Sequence, residues 1–333
     1  MEAPLGSHKA HAINVIKTAG GFSILGHKVI VVAKQPEDPQ SNPVTLLESY
    51  GESGLCPLVI NDSAAMTDAQ YAFQAASIVR TIMPDFVYAR SFGGALACGE
   101  MGIPTVMETH AHVGDLRPIV LEAFAATEQG RISAIVTISQ TLKAAYVRAG
   151  APDAHVHVVP DGVDPRLFIP PENPTSRGTS PYSSTYPFNA VYAGHLYDYK
   201  GIPCILDAAQ LAPNIGFHLI GGLPEDIART KETIAQRSLH HIELHGLVSH
   251  SQVPRYLWHA DALLLPYSIN HPSAAWTSPV KLGEYIASGT PIIASRIPGL
   301  EAWVDEPIVQ WVTPDDPESL ARTLIELAST LAV

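Results

Sequence analysis

The chain has 333 residues, of which 46% are apolar and 16% are charged, and its formal net charge is −12. An apolar share near the globular norm of about 45–50% excludes a disordered or collagen-like chain. The acidic balance argues against a nucleic-acid binder, which should present a basic face. At roughly 100–200 residues per domain, the length predicts two globular domains.

In the first half of the chain, short apolar runs alternate with amphipathic stretches. The runs are continuous, as in parallel strands that are covered on both faces. The predicted strands are Lys28–Ala33, Phe86–Ala89, Pro104–Glu108, Ala134–Ile138 and His155–Val159, and the predicted helices include Ser63–Thr81 and Gln140–Ala149. Strands that alternate with helices indicate βαβ units and a doubly wound sheet.

Residues 169–187 interrupt this alternation, because they hold five prolines and show no apolar periodicity. Such composition is typical of a semi-rigid linker that buries no core. We therefore predict a Rossmann-like domain over residues 1–168, a hinge over 169–187 and a second Rossmann-like domain over 188–333. Ligands of such sheets bind beyond the carboxyl ends of strands and between domains, so we expect a cleft where the two domains face each other.

The alternation resumes after the hinge. The predicted strands are Ala190–Ala193, Gly216–Ile220, His241–His245, Ala262–Leu265, Pro291–Ala294 and Ile308–Val312, and the predicted helices include Pro224–Arg237 and Pro317–Ser329. Both halves thus share one pattern, which predicts an α/β protein built from two doubly wound parallel sheets.

A helix before the strand Pro291–Ala294 gives the clearest chemical signal. Ser278 suits the N-cap and Pro279 the first helical position. Lys281 places a cation where the helix dipole is already positive, and Gly283 costs about 1 kcal/mol relative to alanine in mid-helix. Both residues make sense if an anion binds the helix start and another segment packs closely on Gly283. The pattern predicts a phosphate site.

Glu284 lies three residues beyond Lys281, so the two side chains share a face of this helix. A carboxylate one turn behind a phosphate site can accept hydrogen bonds from ribose hydroxyls. The alternative is an ion pair between Lys281 and Glu284 on a solvated helix face, which contributes little to stability.

A second candidate phosphate loop is Val191–Gly201, which follows the first strand after the hinge. A strand, a glycine turn and Lys200 near a helix start outline a phosphate-binding loop. A plain βα loop explains the same pattern, so this signal gains weight only beside the first one.

Together these motifs resemble family 4 glycosyltransferases, which are retaining enzymes of the GT-B fold that use nucleotide-sugar donors. After the hinge, the resemblance rests on Gly194-His195-Leu196, Lys200-Gly201, His245-Gly246-Leu247-Val248 and Ser278-Pro279-Val280-Lys281 with Glu284-Tyr285 and Ala287–Pro291. Before the hinge, it rests on Tyr88–Ser91, Glu108-Thr109-His110, Ile138-Ser139 and Pro160–Asp164. It covers nearly the whole chain.

The resemblance implies an acceptor side in the first domain and a donor side in the second. Donor-side residues would bind the diphosphate (Gly194, His195, Lys200, Thr277, Ser278 and Lys281), the ribose (Glu284) and the base (Gly246, Leu247 and Val248). On the acceptor side, Gly6 and Ser7 match a loop that closes over phosphates and acceptor, together with Arg90. His110 matches the histidine that contacts the transferred sugar and is the catalytic candidate.

The implied reaction moves a hexosyl unit from a UDP- or GDP-linked sugar to a hydroxyl of a sugar, a lipid-linked sugar or a small molecule. It would retain configuration and need neither a metal nor another cofactor. No pair of carboxylates that suits double displacement is evident. The family is usually assigned a front-face mechanism, in which the departing phosphate helps to deprotonate the acceptor.

Two residues depart from the family pattern. Thr277 stands where relatives often have the first of two glutamates, and His195 stands where many have arginine. Because histidine is neutral near pH 7, we expect donor binding to strengthen as the pH falls toward about 6.

The chain ends depart from the pattern as well. Only five residues precede Gly6, too few for the usual first strand, and relatives usually continue beyond Val333 into helices that return to the first domain. We therefore expect a chain without that strand and those helices. Alternatives to an active transferase are a catalytically silent or truncated nucleotide-sugar-binding protein and a nucleotide-sugar epimerase of the same fold.

The cysteines and histidines indicate whether the chain holds disulfides or a metal site. Cys56, Cys98 and Cys204 form neither a disulfide framework nor a zinc spacing, which favours a cytoplasmic location. The 15 histidines include the group His240, His241 and His245, but none joins acidic residues in a recognisable motif, so we expect no metal site. No apolar run reaches the about 18 residues of a membrane span, while peripheral membrane contact stays open.

Overall fold

The structure is a computed structural model that describes residues 4–7, 10–52, 54–61, 63–114, 118–183, 186–304 and 307–331. The chain divides into two compact units, Met1–Asp161 and Gly162–Val333. The sheets that the described residues form are all parallel, which confirms the predicted α/β class. The hinge over residues 169–187 stays a prediction. None of the described helices is both long and apolar enough to cross a membrane.

In the first unit, the described residues form two parallel sheets, with the strand orders β1-β2 and β3-β4-β5-β6. The strands are β1 (Ile30–Lys34), β2 (Cys56–Ile60), β3 (Val87–Ala89), β4 (Thr105–Thr109), β5 (Ala134–Thr137) and β6 (Val156–Val158). The helices are α1 (Ala10–Ile24), α2 (Pro43–Ser49), α3 (Asp68–Ile82), α4 (Phe92–Glu100), α5 (Pro118–Glu128) and α6 (Gln140–Arg148). Just before Gly6, Pro4 adds one parallel bridge to Lys34 of β1.

The sequence pattern does not predict β2. Pro57 lies inside this strand, and a proline in an apolar run argues against a central strand because it lacks the amide that a ladder needs. In the described sheet β2 pairs only with β1, so one of its sides is not required to donate to a neighbouring strand.

In the second unit, the described residues form one six-stranded sheet with the order β12-β11-β10-β7-β8-β9. The strands are β7 (Asn189–Ala193), β8 (Gly216–Ile220), β9 (Ile242–Gly246), β10 (Ala262–Leu265), β11 (Ile292–Ser295) and β12 (Val309–Val312). The helices are α7 (Pro165–Phe168), α8 (Ile202–Leu211), α9 (Pro224–Gln236), α10 (Val253–Trp258), α11 (Val280–Ser288), α12 (Pro298–Glu301) and α13 (Pro317–Leu331).

Both faces of this sheet are buried. Along β7, Ala190 and Tyr192 pack in one hydrophobic cluster, while Val191 and Ala193 pack in another. All five residues of β8 are buried as well. Burial on both faces requires apolar residues at consecutive positions, which is why these strands form continuous apolar runs in the sequence.

The strand order places the site. The chain runs outward from the central β7 through β8 and β9, then returns to β10 and runs outward through β11 and β12. Ligands of such sheets bind at the switch point, beyond the carboxyl ends of the two central strands. Gly194 follows β7 and Pro266 follows β10, so the loops after these strands meet at the switch point.

Gly201 joins these two loops and gives a first testable prediction. Its φ is +86°, and a Cβ at this position would overlap the carbonyl oxygen of Pro266. Gly201→Ala should therefore lower the free energy of unfolding by about 3 kcal/mol, because backbone must move in addition to the strained φ. Gly289 is the control, since it has a similar φ of +71° with open space around it. Gly289→Ala should cost about 1 kcal/mol in urea unfolding, and equal losses for the two variants would contradict the prediction.

Candidate active site

Two ammonium groups lie at the switch point of the second unit. Lys200 belongs to the short 3₁₀ turn after β7, and Lys281 belongs to the first turn of α11. The Nζ atoms lie 4.1 Å and 5.8 Å, respectively, from the centroid of the Tyr267 ring. We call these two residues the lysine pair. Two sequence motifs that are 81 positions apart thus meet over one aromatic ring, as the predicted phosphate site requires.

Lys281 is enclosed on several sides. Its Nζ lies 4.0 Å from the centroid of the Tyr192 ring. A Cβ at Gly194 would overlap the same ammonium group, so glycine provides the space that this group occupies. Gly194 after β7 is therefore required by the position of the Lys281 ammonium group.

The lysine pair shares its space with His271. The Nζ of Lys200 donates a hydrogen bond of 2.8 Å to Nε2 of His271. Burial, followed by the two lysine charges, lowers the pKa of His271 to about 3, so this ring stays neutral and accepts the bond. The ring also stacks on Tyr267 at a centroid distance of 4.8 Å. His271 thus holds the Lys200 ammonium group in place.

The lysine pair carries positive charge that carboxylates do not balance at close range. Loss of solvation lowers the pKa of Lys200 to about 8. Loss of solvation and then the charge of Lys200 lower the pKa of Lys281 well below its usual value, while Glu284 opposes the shift. Within the described parts of the chain, neither lysine forms an ion pair with a carboxylate. An anion at the lysine pair would stabilise both cations.

Helix α11 begins at Val280, so the predicted Ser278 N-cap is wrong by one residue. Pro279 is the N-cap, with an extended ψ of 110°, and it has no side-chain acceptor to cap the helix. The first turn of α11 therefore has no side-chain cap next to Lys281, and of its amides that of Leu282 donates to the carbonyl of Pro279. An uncapped helix start beside a cation is a site for an anion.

Thr277 already uses its amide inside the protein. This amide donates a hydrogen bond of 2.7 Å to the carbonyl of Ser273, and the Thr277 carbonyl accepts a bond of 2.9 Å from Nε1 of Trp303. Thr277 and Ser278 are both buried. Phosphate binding by the Thr277 amide stays a prediction that requires its present bond to be exchanged.

Gly283 and Glu284 have specific partners. A Cβ at Gly283 would meet Val163 at 3.3 Å, which confirms that another segment packs closely on this helix face. Oε1 of Glu284 lies 2.9 Å from Nε2 of His250, so its partner is this histidine and not Lys281. The ion pair between Lys281 and Glu284 is therefore not formed, and Glu284 is held near the helix start. Its role in ribose binding stays a prediction.

His195 lies beside the lysine pair. Its ring stacks on Tyr197 at a centroid distance of 5.1 Å. Burial, and then the charge of Lys281, lower its pKa from the ordinary value, while Asp226 opposes the shift. Protonation of His195 in the free protein is therefore displaced to lower pH than that of an ordinary histidine.

The predicted base-binding loop follows β9. The carbonyl of Gly246 accepts a hydrogen bond of 2.6 Å from the amide of Gly221, and Gly246 has a φ of +69°. The Leu247 side chain is 54% exposed, whereas Val248 packs against the core. This loop thus has a fixed backbone and one exposed apolar side chain, which suits a base but does not identify it.

The first unit holds a separate charged cluster of Arg90, Glu108, His110 and Asp161, which we call the His110 cluster. Nε2 of His110 lies 2.7 Å from Oε1 of Glu108 and 3.5 Å from Oδ1 of Asp161. Nη1 of Arg90 lies 3.4 Å from the same oxygen of Glu108. The catalytic candidate His110 is thus fixed by two carboxylates, and Arg90 lies beside it.

The two carboxylates differ in electrostatics. Burial alone would raise the pKa of Glu108, but the hydrogen bond with His110 and the charge of Arg90 lower it overall. Burial raises the pKa of Asp161, although the charge of His110 opposes this. Glu108 therefore carries the negative charge that orients His110.

Gly6 lies in a turn that the amide of Ser7 closes by donating to the carbonyl of Pro4. Gly6 has a φ of +92°, and a Cβ there would press on the Leu46 side chain at 3.1 Å. The Ser7 carbonyl accepts a hydrogen bond of 2.8 Å from the Tyr50 hydroxyl. The predicted contact of this loop with phosphates and acceptor stays a prediction.

Sequence reasoning missed three partners of the site residues: Tyr267, His271 and His250. Tyr267 comes two residues after β10, where the switch-point rule places ligand contacts. His250 begins a short 3₁₀ helix and His271 lies in a loop, and neither belongs to a motif. They reach the site only through the tertiary fold. The position of Tyr267 after the second central strand is a signal by which the sequence could have identified it.

Two protein families match the chain, one for each half. Residues 14–167 match the family described as Glycosyltransferase Family 4, and residues 187–330 match the family described as Glycosyl transferases group 1. A curated relative is the amylovoran biosynthesis glycosyltransferase AmsK of Erwinia amylovora, which is 25% identical over 199 residues. The match covers 58% of this chain and 47% of the relative, so it spans about half of that protein's length.

Solved structures share the fold of the whole chain. HepE of Anabaena, in complex with UDP and glucose, is 18% identical with a TM-score of 0.75, and the match covers 99% of this chain and 89% of HepE. A glycosyltransferase of Rickettsia africae is 17% identical with a TM-score of 0.74, over 98% of this chain and 86% of that protein. These similarities confirm the predicted GT-B fold class.

Proposed function

The chain belongs to glycosyltransferase family 4, and from this premise we propose that it transfers a hexosyl unit from a UDP- or GDP-linked sugar to an acceptor hydroxyl. The observation that carries the proposal is the lysine pair, two partly buried cations without a carboxylate partner among the described residues, at the start of α11. A nucleoside diphosphate supplies the missing negative charge at this place.

The main catalytic task is to stabilise charge on the departing diphosphate. The lysine pair and the first amides of α11 would stabilise that charge, and their low solvation would make each interaction stronger than in water. HepE, a structural relative, has been solved with UDP and with UDP-glucose, which supports a uridine diphosphate sugar as the first donor to test.

We propose retention of configuration by a front-face route without a metal ion or other cofactor in the reaction. Glu108 and Asp161 both face the same nitrogen of His110, which favours an orienting role over double displacement. The departing phosphate would then help to deprotonate the acceptor. His110 would contact the transferred sugar, and Arg90, Gly6 and Ser7 would lie near the acceptor.

The proposal also covers the location and acceptor of the reaction. Free cysteines, with Cys98 and Cys204 in the hydrophobic cores, fit a reducing cytoplasm. The acceptor would be a sugar, a lipid-linked sugar or a small molecule, and the last two require different assay conditions.

A donor panel tests this function. The protein is mixed with UDP, GDP and their glucose, galactose and mannose conjugates, and thermal stability is measured before transfer to acceptors is assayed. A true donor at about 100 times its Kd should stabilise the fold by about 2.7 kcal/mol. Binding without transfer to any acceptor would favour a silent binding protein, and conversion of the donor without acceptor would favour an epimerase.

Variants map the donor site in the same panel. Lys200→Ala and Glu284→Ala should each weaken donor binding and turnover, with Lys231→Ala as the control on an exposed position of α9. Donor binding and turnover that survive both site substitutions would overturn the assignment of the diphosphate and ribose contacts.

Donor affinity should fall as the pH rises above about 8. The pKa of Lys200 is lowered to about 8 in the free protein, and a bound diphosphate would raise it, so the complex must take up a proton. The Kd of UDP should rise by up to about tenfold per pH unit above that value. Calorimetry between pH 7 and 9 measures this change. A Kd that stays constant over this range, or the same slope in Lys200→Met, would contradict the assignment.

A further inference from the structure

Three side chains that are suited to metal ligation meet at one edge of the sheet in the second unit. His218 lies on β8, and Glu243 and His245 lie on the edge strand β9; we call them the His218 cluster. The strand register pairs His218 with Glu243. Because residues two apart in a strand share a face, His245 points to the same side as Glu243. The cluster is therefore built by the sheet itself.

The ligand atoms have the spacing of a metal site. Nδ1 of His218 lies 3.1 Å from Nε2 of His245 and 3.3 Å from Oε2 of Glu243, and the last two atoms are 3.9 Å apart. A tetrahedral zinc ion with bonds of about 2.0–2.1 Å requires ligand atoms about 3.4 Å apart. The three measured distances lie on both sides of this value, so small side-chain movements suffice.

Hydrogen bonds to neighbours fix which atoms carry protons. The Asn189 amide nitrogen donates to the Tyr186 carbonyl at 3.3 Å, so its oxygen faces Nε2 of His218 at 3.0 Å and accepts the proton of that nitrogen. Nδ1 of His218 then directs its lone pair toward Nε2 of His245 and Oε2 of Glu243. This is the arrangement in which a second hydrogen bond orients a metal-binding imidazole.

The cluster has more acceptors than protons. Oε2 of Glu243 is buried and has no hydrogen-bond partner among the described residues. With His218 in the tautomer above, only His245 can supply a proton to the two acceptors that face it. A cation at the cluster would bind the acceptor atoms for which no proton is present.

The segment Tyr182–Ser183 covers the cluster. The Tyr182 ring stacks on His218 with a centroid distance of 4.0 Å, and Oγ of Ser183 donates a hydrogen bond of 2.6 Å to Oε1 of Glu243. His218 is almost fully buried at 1% side-chain exposure. The other carboxylate oxygen is thus held by a neighbour, and Oε2 is left for the cluster.

We propose that the His218 cluster binds one divalent transition-metal ion, with Zn²⁺ as its probe and a solvent molecule as the remaining ligand. Two imidazoles and one carboxylate are a ligand set that such ions favour. The ion would fasten Tyr182–Ser183 to β8 and β9, and it would take no part in glycosyl transfer. This departs from the sequence expectation that the histidines hold no metal.

Metal titration of the full chain tests the proposal. After dialysis against a chelator, the protein is titrated with Co²⁺, and the visible absorption of the bound ion is followed while Zn²⁺ displaces it. We expect one equivalent of Zn²⁺ at the cluster, with a higher unfolding temperature. Glu243→Gln and His245→Gln should each lower Zn²⁺ affinity by at least about tenfold, and circular dichroism checks that both variants fold.

Two further variants decide where any ion binds. His240→Gln changes an exposed histidine that directly precedes His241 and β9, and it should leave affinity unchanged. Glu108, His110 and Asp161 are the other described group with suitable spacing for a metal ion, so His110→Gln tests this alternative site. It should leave Zn²⁺ affinity unchanged. The proposal is overturned if the protein binds no Zn²⁺, if Glu243→Gln and His245→Gln bind it as tightly as the wild type, or if affinity is lost in His110→Gln instead.

Discussion

Lys281→Met is expected to remove most donor binding while leaving the fold as stable as, or more stable than, the wild type. Methionine has a similar length and no charge, so it fits between Tyr192 and Gly194 without burying a cation. Loss of one charge-assisted contact should weaken UDP binding by about 10–100-fold. Turnover should fall by about 100–1,000-fold, because the contact is strongest when charge develops on the leaving group.

The pH dependence of stability shows whether the buried Lys281 cation destabilises the fold. The pKa of Lys281 in the folded state lies well below its usual value, so the unfolded chain holds the proton more tightly. The wild-type free energy of unfolding should therefore increase as the pH rises from that lowered pKa toward about 10.4, the ordinary lysine value. Lys281→Met should show a smaller increase, because only the lowered pKa of Lys200 then contributes to it. Urea unfolding at several pH values measures it.

Lys231→Met is the matched control for Lys281→Met, since it makes the same change on an exposed position of the same unit. It should leave UDP affinity, turnover and the pH dependence of stability unchanged. If Lys281→Met bound UDP as well as this control, the lysine pair would not be the diphosphate site.

His110→Gln is expected to lower kcat by about 100-fold or more while the Kd of UDP changes by less than twofold. Glutamine can still donate to Glu108, so the His110 cluster keeps a hydrogen bond and its fold. It cannot reproduce the imidazole that we propose to contact the transferred sugar, and removal of a group at the reacting centre typically costs 10²–10⁴-fold. The Kd of UDP should stay nearly constant while kcat falls, because His110→Gln does not change the lysine pair.

Single-turnover kinetics and UDP calorimetry measure the two effects of His110→Gln separately. His112→Gln is the control, since it changes an exposed histidine two residues away. A kcat within threefold of the wild type would remove His110 from the reaction. A parallel loss of UDP affinity would instead mean that the variant disturbs more than the acceptor side.

Most of the fold could be predicted because burial on both faces leaves a direct signal. The runs Gly216–Ile220 and Ala262–Leu265 match β8 and β10 to the residue, and both are fully buried. β2 could not be predicted, because Pro57 removes the apolar pattern that identifies a strand. The start of α11 was misplaced by one residue, because the ψ angle of Pro279 depends on tertiary packing and not on the proline ring.

The candidate site was predicted where chemistry and local pattern coincide. Gly194 and Lys200 follow a strand, and Lys281 lies in the first turn of a helix. The sequence pattern identifies all three, and the structure brings them together. The partners His250 and His271 could not be predicted, because each reaches its site residue from a segment 34 or 71 positions away in the chain. Local sequence carries no information on such distant contacts.

A crystal structure of the chain with UDP tests the central claim most directly. We predict that the diphosphate lies within hydrogen-bond distance of Nζ of Lys200 and Nζ of Lys281 and faces the first amides of α11, with the uracil at Gly246–Val248. A nucleotide bound elsewhere, with both ammonium groups still packed on Tyr267, would contradict this account of the donor site.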